Sequence, residues 1–438
     1  MPVGFWVVWT TVVIDLIGFG IAIPVLNPFA RELGATPVVV GFIGAAFSLA
    51  QFVVAPMLGR LSDRIGRKPV LVLSLVGTSI ASVGTGLSTA PWMLLATRAF
   101  DGASGATLGV AQAAVADIAP PRRRAALLAM LGAAFGIGFT IGPAISGVAV
   151  LIAGRRAPFF VAAALAAANA VATFIRFPDT KTLRDRLAAT QSAHAAGFAN
   201  GADAGDAAAA GDTDSADAVH AVHAVHAVRG SQVGAGIRDR DGAPNAGARP
   251  LARTWRENGL PMLIVIGGIT TLAFTMFEQM FALFGEDRIG FTKSSAPWAF
   301  VIIGIVVSVV QGGLVRPAIA AVGERKLLLG GTVAVGSGLV LVGLTRSWLL
   351  LVPALLLLAA GQGFASPTMQ ATMTNAISPE VRGELLGVVS RWGALARVVG
   401  PLVGGFLFEH VGKGSPFFIG AALYALSVMI LWSRARVS

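Results

Sequence analysis

Long apolar runs separated by short polar connections make up most of the chain, a pattern typical of an integral membrane protein. A helix that crosses the hydrocarbon core needs about 20 predominantly apolar residues, because each residue adds about 1.5 Å of rise. Such runs lie at residues 4–26, 37–58, 69–88, 91–116, 124–152 and 157–177, and, after a polar interruption, at 259–284, 296–317, 326–345, 348–377, 384–408 and 414–434. Since lipid offers the backbone no hydrogen-bonding partners, each run is predicted to be a helix.

The two sets of apolar runs also resemble each other in sequence. Three pairs of segments match at nearly the same separation along the chain: 142–147 with 400–405, 158–165 with 416–423, and more loosely 66–68 with 323–326. Parallel repeats of this kind are a transporter architecture, with the substrate site between the halves near the middle of the membrane. The sequence therefore predicts an all-α integral membrane fold of about twelve transmembrane helices in two pseudo-symmetric six-helix bundles, residues 1–177 and 257–438.

The polar interruption, residues 178–256, is predicted to be a low-complexity cytoplasmic linker that is mostly disordered. It is rich in Ala, Asp, Gly and Arg, and alanine is too small to build a hydrophobic core. His220, His223 and His226 recur every three residues within it. A metal site is one interpretation of this tract, but we favour a simple repeat expansion, so no metal site is predicted.

The composition agrees with a membrane protein and excludes several other classes. Hydrophobic residues make up 55% of the chain, charged residues only 13%, and the mean hydropathy is +0.76. Soluble domains carry about 25% charged residues. The absence of cysteine excludes disulfides, thiolate catalysis and cysteine-based metal sites. The first apolar run is too long for a cleaved signal peptide, and no basic region precedes it.

The net charge of +11 could indicate binding to nucleic acid, but the cations lie in short loops between apolar runs. More of them lie on the side of the chain termini than on the opposite side. Because loops rich in Lys and Arg are retained in the cytoplasm, both termini are predicted to be cytoplasmic. The predicted location is a bacterial-type inner membrane that the chain crosses many times.

A segment of glycines, one acid and several cations connects the second and third predicted helices. Gly59 and Gly66 are expected to let the backbone turn tightly. Asp63 can pair with a neighbouring cation or cap a helix. The candidate gating residues of this segment are Gly59, Asp63, Arg64, Gly66, Arg67 and Lys68.

This segment resembles the signature of the major facilitator superfamily, which reads Gly-x-Leu-x-Asp-Arg-x-Gly-Arg-Lys/Arg. Residues 98–106 resemble the Arg-x-x-x-Gly motif of that family's fourth helix, and residues 136–147 resemble the fifth-helix motif of its drug-exporting proton antiporters. Residues 15–26 and 284–288 are similar to the twelve-helix drug–proton antiporters that include the tetracycline exporters. The resemblance covers nearly the whole chain except the linker.

The resemblance implies roles for several of these residues. Asp63 would gate the cytoplasmic side with the help of Arg67 and Lys68, and Arg98 would take part in proton transfer. Helix bending during alternating access would depend on a motif in the fifth predicted helix, consisting of Gly138, Gly142, Pro143 and Gly147. Tetracycline exporters carry further acids in the third and ninth helices, whereas the corresponding runs here contain none. The resemblance therefore implies export without implying a tetracycline–metal chelate as the substrate.

Polar and charged side chains inside the predicted spans are candidates for proton coupling and substrate binding. An ionised side chain at the bilayer centre costs roughly 2.5–3.5 kcal/mol, so each one needs a reason. The candidates are Asp15, Arg98, Asp101, Glu278, Gln279 and Arg391. Arg98 and Asp101 are three residues apart on one helix, so they can neutralise each other or take part in proton coupling. Glu278 can hold a proton in a cavity or pair near the outer surface, and we favour the cavity.

Two arginines of the eleventh predicted helix have different expected roles. Arg391 and Arg397 are six residues apart and therefore lie on different faces. Arg391 would favour an anionic or zwitterionic substrate if it faces the cavity, and pairing with Glu278 or Asp15 is the competing interpretation. Arg397 belongs to a segment that resembles a common family pattern, which implies a structural role.

These features predict a secondary active transporter that exports small amphipathic compounds, including drugs, in exchange for protons by alternating access. A transporter of the same fold for a specific anionic or zwitterionic metabolite is the alternative, followed by a non-transporting membrane receptor. An enzyme is not predicted, since the predicted spans contain no histidine and the sequence contains no recognisable nucleophile–base set or phosphate-binding Walker motif. The predicted partners are protons, a small-molecule substrate and lipid, with no nucleic acid, cofactor or metal, and the functional unit is predicted to be a monomer.

Overall fold

The computed structural model describes residues 4–119, 123–177, 259–377 and 382–433, so the linker predicted at 178–256 lies outside the described residues. This part of the chain folds into helices. In chain order they are α1 (Phe5–Glu32), α2 (Pro37–Ile65), α3 (Arg67–Leu87), α4 (Pro91–Ser104), α5 (Thr107–Ile118), α6 (Arg124–Ala153), α7 (Ala157–Arg176), α8 (Leu260–Phe284), α9 (Ser295–Val309), α10 (Val315–Val322), α11 (Glu324–Leu344), α12 (Trp348–Asn375), α13 (Arg382–His410) and α14 (Ser415–Ser433). Wider π-helical turns continue α8 at Gly285–Ile289 and join α9 to α10 at Val310–Leu314.

Helices α1–α7 form the N-terminal bundle and helices α8–α14 form the C-terminal bundle. The side of the molecule where α1 begins is called the proximal side, and it also carries the α2–α3 turn at Gly66. The opposite side is called the distal side, and it carries the α1–α2 turn at residues 33–36 and the α8–α9 turn at residues 290–294.

The all-helical membrane fold is confirmed, with one correction to the fourth span. Within the described residues, 11 helices are long and apolar enough to cross a membrane. Segments α4 and α5 are each too short to cross, but together they cover the run predicted at 91–116. The fourth span is therefore two helices joined at Gly105 and Ala106, whereas the apolar pattern predicts one.

Contacts with α2 account for the break in the fourth span. Gly102 lies so close to the Phe47 carbonyl that a Cβ could not fit between them. The Gln51 side-chain amide donates to the Gly105 carbonyl oxygen at 2.8 Å. Because this carbonyl is bound from outside the helix, the ladder of α4 ends here, and α5 begins at Thr107. The break places the N-terminus of α5 inside the membrane.

Only one of the two glycines expected to turn the chain between α2 and α3 does so. Gly66 has a φ of 103° and Gly323, at the α10–α11 turn, has a φ of 83°, values that favour glycine. The two positions correspond in the sequence repeat, so the two bundles share the same proximal turn. Gly59 lies inside α2, which continues to Ile65, and the expectation that it turns the backbone is wrong.

Glycines bring α1 and α6 into backbone contact within the N-terminal bundle. A Cβ at Gly20 would lie 2.5 Å from the Gly138 carbonyl oxygen, and a Cβ at Gly142 would lie 2.7 Å from the backbone of Gly20. Membrane helices associate through such close packing because lipid tails are as apolar as the side chains they would replace. The glycines of the predicted bending motif therefore form a close helix crossing with α1.

The two bundles meet through two further glycine crossings. Gly304 of α9 packs against the Phe139 carbonyl of α6, and Gly41 of α2 packs against the Pro401 carbonyl of α13. In both cases the carbonyl lies too close for a Cβ to fit. Buried apolar side chains from both bundles form one continuous cluster around this interface. Backbone contact and apolar packing together hold the bundles in this arrangement.

Gly304→Ala should destabilise the protein by about 1–3 kcal/mol, the usual range for an overpacked site. The added methyl group would meet the Phe139 carbonyl and push α9 away from α6. Thermal unfolding of the purified protein in detergent measures the effect. Gly330→Ala in α11 is the matched control, since nothing lies within 4 Å of its added Cβ. Equal unfolding temperatures for the two variants would contradict the crossing.

Candidate functional site

A cluster of two acids and one arginine lies in the middle of the N-terminal bundle. Arg98 Nη2 donates to Asp101 Oδ2 at 2.6 Å, and these side chains are only 6% and 8% exposed. The Phe47 ring covers the guanidinium, with 5.5 Å between Arg98 Cζ and the ring centroid. Asp15 of α1 faces Asp101 and interacts with it electrostatically. The structure thus brings Arg98 and Asp101 together as their spacing predicts, and it adds Asp15 to them through Asp101.

The break in the fourth span supplies a hydroxyl group to this cluster. Thr107, the first residue of α5, approaches the Asp15 carboxyl, and Thr78 of α3 approaches the Asp101 carboxyl. The Thr107 hydroxyl is buried and makes no hydrogen bond of normal geometry among the described residues. The N-terminus of a helix also carries a partial positive charge that favours a nearby anion. No sequence signal indicates either threonine, because the break itself is not visible in the apolar pattern.

A second pair of charged side chains lies in the C-terminal bundle. Glu278 of α8 and Arg397 of α13 interact electrostatically, but they form no direct ion pair in the described part of the chain. Arg397 lies about midway along α13, roughly 20 Å from either end. Glu278 is half-buried and Arg397 is exposed, although both lie deep within the helices. Because a charge that faces lipid at this depth is costly, these accessible charges indicate a space between the helices.

Arg391 does not take part in this pair. Helix α13 packs on α8 through Gly400, and at 100° per residue Arg391 lies roughly 180° from that contact. It is exposed on the same side of α13 as Leu395, which is also exposed. Of these two arginines, the structure places Arg397 near Glu278 and places Arg391 on a different face of α13, about 120° away.

Hydrogen bonds join the two bundles in the distal half of the molecule. The Gln279 side-chain amide donates to Asn27 Oδ1 at 3.0 Å and to the Val40 carbonyl oxygen at 3.1 Å. Glu409 Oε2 accepts from the Val38 backbone N–H at 2.8 Å, at the start of α2. The donors of the Gln279 amide are thus engaged at the interface. The structure places this side chain in the bundle contact and apart from the charged groups with which the sequence analysis grouped it.

A distal ion cluster connects the same ends of the bundles. It consists of Arg31, Glu32, Arg155, Glu286, Asp287 and Lys413. Two of its ion pairs cross from one bundle to the other, namely Arg155 with Glu286, and Arg31 with Asp287 at 2.6 Å. The two acids lie in the π-helical turn that follows α8, which aims them at the N-terminal bundle. The distal side is closed in this structure, and no sequence pattern indicates these pairings.

The signature turn on the proximal side contains its own ion pairs. Arg67 Nη1 lies 2.7 Å from Asp63 Oδ1, and Arg67 Nε lies 3.1 Å from Asp117 Oδ2 at the end of α5. Lys68 lies over an aromatic ring of α7, 5.4 Å from its centroid. Arg64 is exposed in the last turn of α2. The expected pairing of Asp63 with a cation is observed, and Asp117 is a partner that the sequence analysis missed.

The predicted bending motif packs against both bundles. Gly138 and Gly142 contact α1, as described above, whereas a Cβ at Gly147 would lie 3.3 Å from the Trp298 ring of α9. Pro143 is buried inside α6. The glycines of the motif therefore allow α1 and α9 to pack closely against α6. Its role in bending stays a prediction.

Breaking the cross-bundle ion pair of Arg155 should open the distal side. The chain has no cysteine, so Val40→Cys introduces a single reporter, at a side chain that is fully buried at the distal interface. In that background Arg155→Glu should speed labelling by a maleimide severalfold, because like charges would then face each other. Adding Glu286→Arg restores opposite charges and should slow the labelling again.

The matched control is Arg288→Glu, which reverses an exposed charge in the same π-helical turn without breaking an ion pair in the described chain. It should leave the labelling rate unchanged. The ion cluster does not hold the distal side closed if Arg155→Glu and Arg288→Glu give the same rate, or if the double variant fails to restore protection.

Comparison with known proteins agrees with the geometry. The profile described as Major Facilitator Superfamily matches residues 8–320 and 314–438. Tetracycline resistance protein, class E, of Escherichia coli is 30% identical over 427 residues, which are 95% of this chain and 92% of the relative. Major facilitator superfamily domain-containing protein 10 of Homo sapiens is 29% identical over 398 residues, which are 89% of this chain and 78% of the relative.

A solved structure shows the same fold. The crystal structure of the human organic anion transporter MFSD10 is similar to this chain with a TM-score of 0.62 and 24% identity, and the match covers 98% of each chain. The paired helical bundles, the signature turn at Gly66 and the family match over nearly the whole chain lead to one conclusion. The chain belongs to the Major Facilitator Superfamily, a family of membrane transporters.

Proposed function

We propose that the protein is a secondary active transporter that exports small amphipathic compounds, drugs among them, across the inner membrane in exchange for protons. The N-terminal cluster is the observation that carries this proposal. Of its two carboxylates, Asp101 forms an ion pair with Arg98, whereas Asp15 faces the Asp101 carboxylate. Asp15 therefore has no cationic partner among the described residues, at a depth where an unpaired charge costs roughly 2.5–3.5 kcal/mol.

An acid in this position can be neutralised in two ways that exclude each other. It can take up a proton, or it can bind a cationic group of the substrate. Because the proton and the substrate compete for one carboxylate, binding of the proton weakens binding of the substrate. This is the coupling that antiport requires. Each proton that moves inward contributes about 2.3 kcal/mol per 100 mV of membrane potential.

Sequence and relatives support the direction of transport and the orientation. The tetracycline resistance relatives, at up to 30% identity among those described, support export. The cation-rich loops on the proximal side support a cytoplasmic location for that side and for both termini. In this orientation the distal ion cluster would face outward, and the structure would be closed toward the outside. The proposal also includes a monomeric unit without enzymatic activity, with lipid and protons as its partners.

The second candidate is a transporter of the same fold for a specific anionic or zwitterionic metabolite. The observation that favours it is the accessible guanidinium of Arg397 in the middle of α13. A positive charge at this position would attract the carboxylate of such a compound.

Expression of the protein in cells that lack their own efflux pumps should lower the accumulation of at least one cationic amphipathic compound from a panel. A protonophore should abolish the difference, because it removes the driving force. Cellular fluorescence or mass spectrometry measures the accumulation. Export is refuted if expression changes the accumulation of no compound, and proton coupling is refuted if efflux persists in full after the gradient is collapsed.

Asp15→Asn should remove most of the proton-dependent efflux, because the amide can neither bind a proton nor neutralise a cationic substrate. The amount of protein in the membrane and its unfolding temperature should stay close to those of the wild type. Asp15→Glu keeps the carboxyl group and should retain part of the activity. If folded protein and transport fall in the same proportion in the Asn variant, Asp15 has a structural role instead.

A further inference from the structure

Arg397 differs from the buried Arg98 because its charge is accessible, and it differs from the exposed Arg391 in the face of α13 on which it lies. It lies about midway along α13, roughly 20 Å from either end. The surrounding protein partly desolvates the guanidinium, yet the residue is exposed. Arg98, in contrast, is almost fully buried in its ion pair with Asp101. Because a charge that faces lipid at this depth is costly, the accessible guanidinium indicates a space between the helices.

The helical geometry shows which space this is. Helix α13 contacts α8 at Gly400 and contacts α2 at Pro401. At 100° per residue, Arg397 lies between these two contacts, roughly 60° from Gly400 and roughly 40° from Pro401. Because α8 belongs to the C-terminal bundle and α2 to the N-terminal bundle, the guanidinium faces the place where the bundles meet. The guanidinium extends back along the helix beside Gly393, one turn earlier, where Arg397 Nη1 lies 3.7 Å from the position of an added Cβ, an ordinary contact distance.

The hydrogen-bonding capacity of this guanidinium is unused within the described residues. A guanidinium has five N–H donors in a planar arrangement. Arg397 makes no hydrogen bond or direct ion pair in that part of the chain, and its one charged neighbour, Glu278, acts on it electrostatically from a greater distance. Arg155, by comparison, binds two carboxylates. The donors of Arg397 are therefore available to a ligand.

We propose that Arg397 binds the anionic group of an amphipathic organic anion or zwitterion, and that Glu278 is the internal counter-ion this group displaces. The proposal rests on the transport function proposed above, because it names a class of compound that the transporter would carry. Carboxylate and sulfonate groups match the planar fork of a guanidinium with two parallel hydrogen bonds. The neighbouring Ala394 and Val398 are apolar, which suits a ligand with a hydrophobic body.

The pairing with Glu278 gives the proposal a distinctive signature. When the site is empty, the Glu278 carboxylate partly neutralises Arg397. A bound anion must compete with that carboxylate, so removing the charge of Glu278 should strengthen anion binding. Removing the charge of Arg397 should weaken it. A purely structural pair would show no such opposite effects, since both substitutions would only lower the stability of the protein.

The test is equilibrium binding of two matched probes to the purified full chain in a non-ionic detergent. The probes are 2-naphthoate and protonated 2-naphthylmethylamine, which share an aromatic body and carry opposite charges. Titration calorimetry should show that Arg397→Gln weakens naphthoate binding by about tenfold or more, the usual effect of losing a hydrogen bond to a charged group. Arg397→Lys keeps the charge without the fork and should lose less affinity. Glu278→Gln should bind naphthoate more tightly than the wild type.

Arg391→Gln is the matched control, because it removes the same charge from a different face of the same helix, about 120° away. It should leave naphthoate binding unchanged. Binding of the ammonium probe and the unfolding temperature report whether each variant is folded, and the Lys variant supplies the test if the Gln variant is not. The proposal is overturned if the wild type does not bind naphthoate, if Arg391→Gln and Arg397→Gln have equal effects, or if Glu278→Gln weakens the binding.

These outcomes are separable from failure of the proposed export. Naphthoate binding that depends on Arg397, in a protein that exports no compound of the panel, would support the anion site and refute the transport function. Proton-dependent efflux of cationic compounds without any Arg397-dependent anion binding would support the transport function and refute the anion site.

Discussion

A charge inside a membrane must be neutralised by protein, by water or by a ligand, and this constraint decides where function can reside in the molecule. Arg98 satisfies it within the protein, through a short ion pair with Asp101. Asp15 and Arg397 do not, since the first faces another acid and the second faces an accessible space. A proton or a cationic group of the substrate can neutralise Asp15, and an anionic group of the substrate can neutralise Arg397.

The two incomplete sites carry opposite charges and lie in opposite bundles. The N-terminal cluster has an excess of carboxylate, whereas Arg397 offers a guanidinium from the C-terminal bundle. A compound with both a cationic and an anionic group could therefore contact both bundles at once. Its bound orientation would be set by charge, while its hydrophobic body would need little specific recognition. Such an arrangement suits a transporter for compounds that differ in shape but share a distribution of charge.

Most of the fold could be predicted from the sequence, because the length of each apolar run determines whether it spans a membrane. The Arg98–Asp101 pair could also be predicted, since it depends on spacing along one helix. The break at Gly105 could not, because the apolar pattern continues through it and its cause lies in contacts with α2. For the same reason, the sequence could not show which of Arg391 and Arg397 lies near Glu278. Which face of α13 meets its neighbours depends on packing, and no local pattern encodes it.

The glycine crossings between the bundles have a mechanical consequence. Gly304 of α9 meets α6, and Gly41 of α2 meets α13, so two pairs of helices cross between the bundles with backbone against backbone. A line through these two crossings defines an axis about which one bundle can rotate relative to the other. Rotation about this axis would separate the bundles on one side of the molecule and bring them together on the other. The helix crossings themselves would move little. Larger side chains at these crossings would obstruct the rotation. With glycine there, the ion pairs of the distal ion cluster are the contacts that must break before the distal side can open.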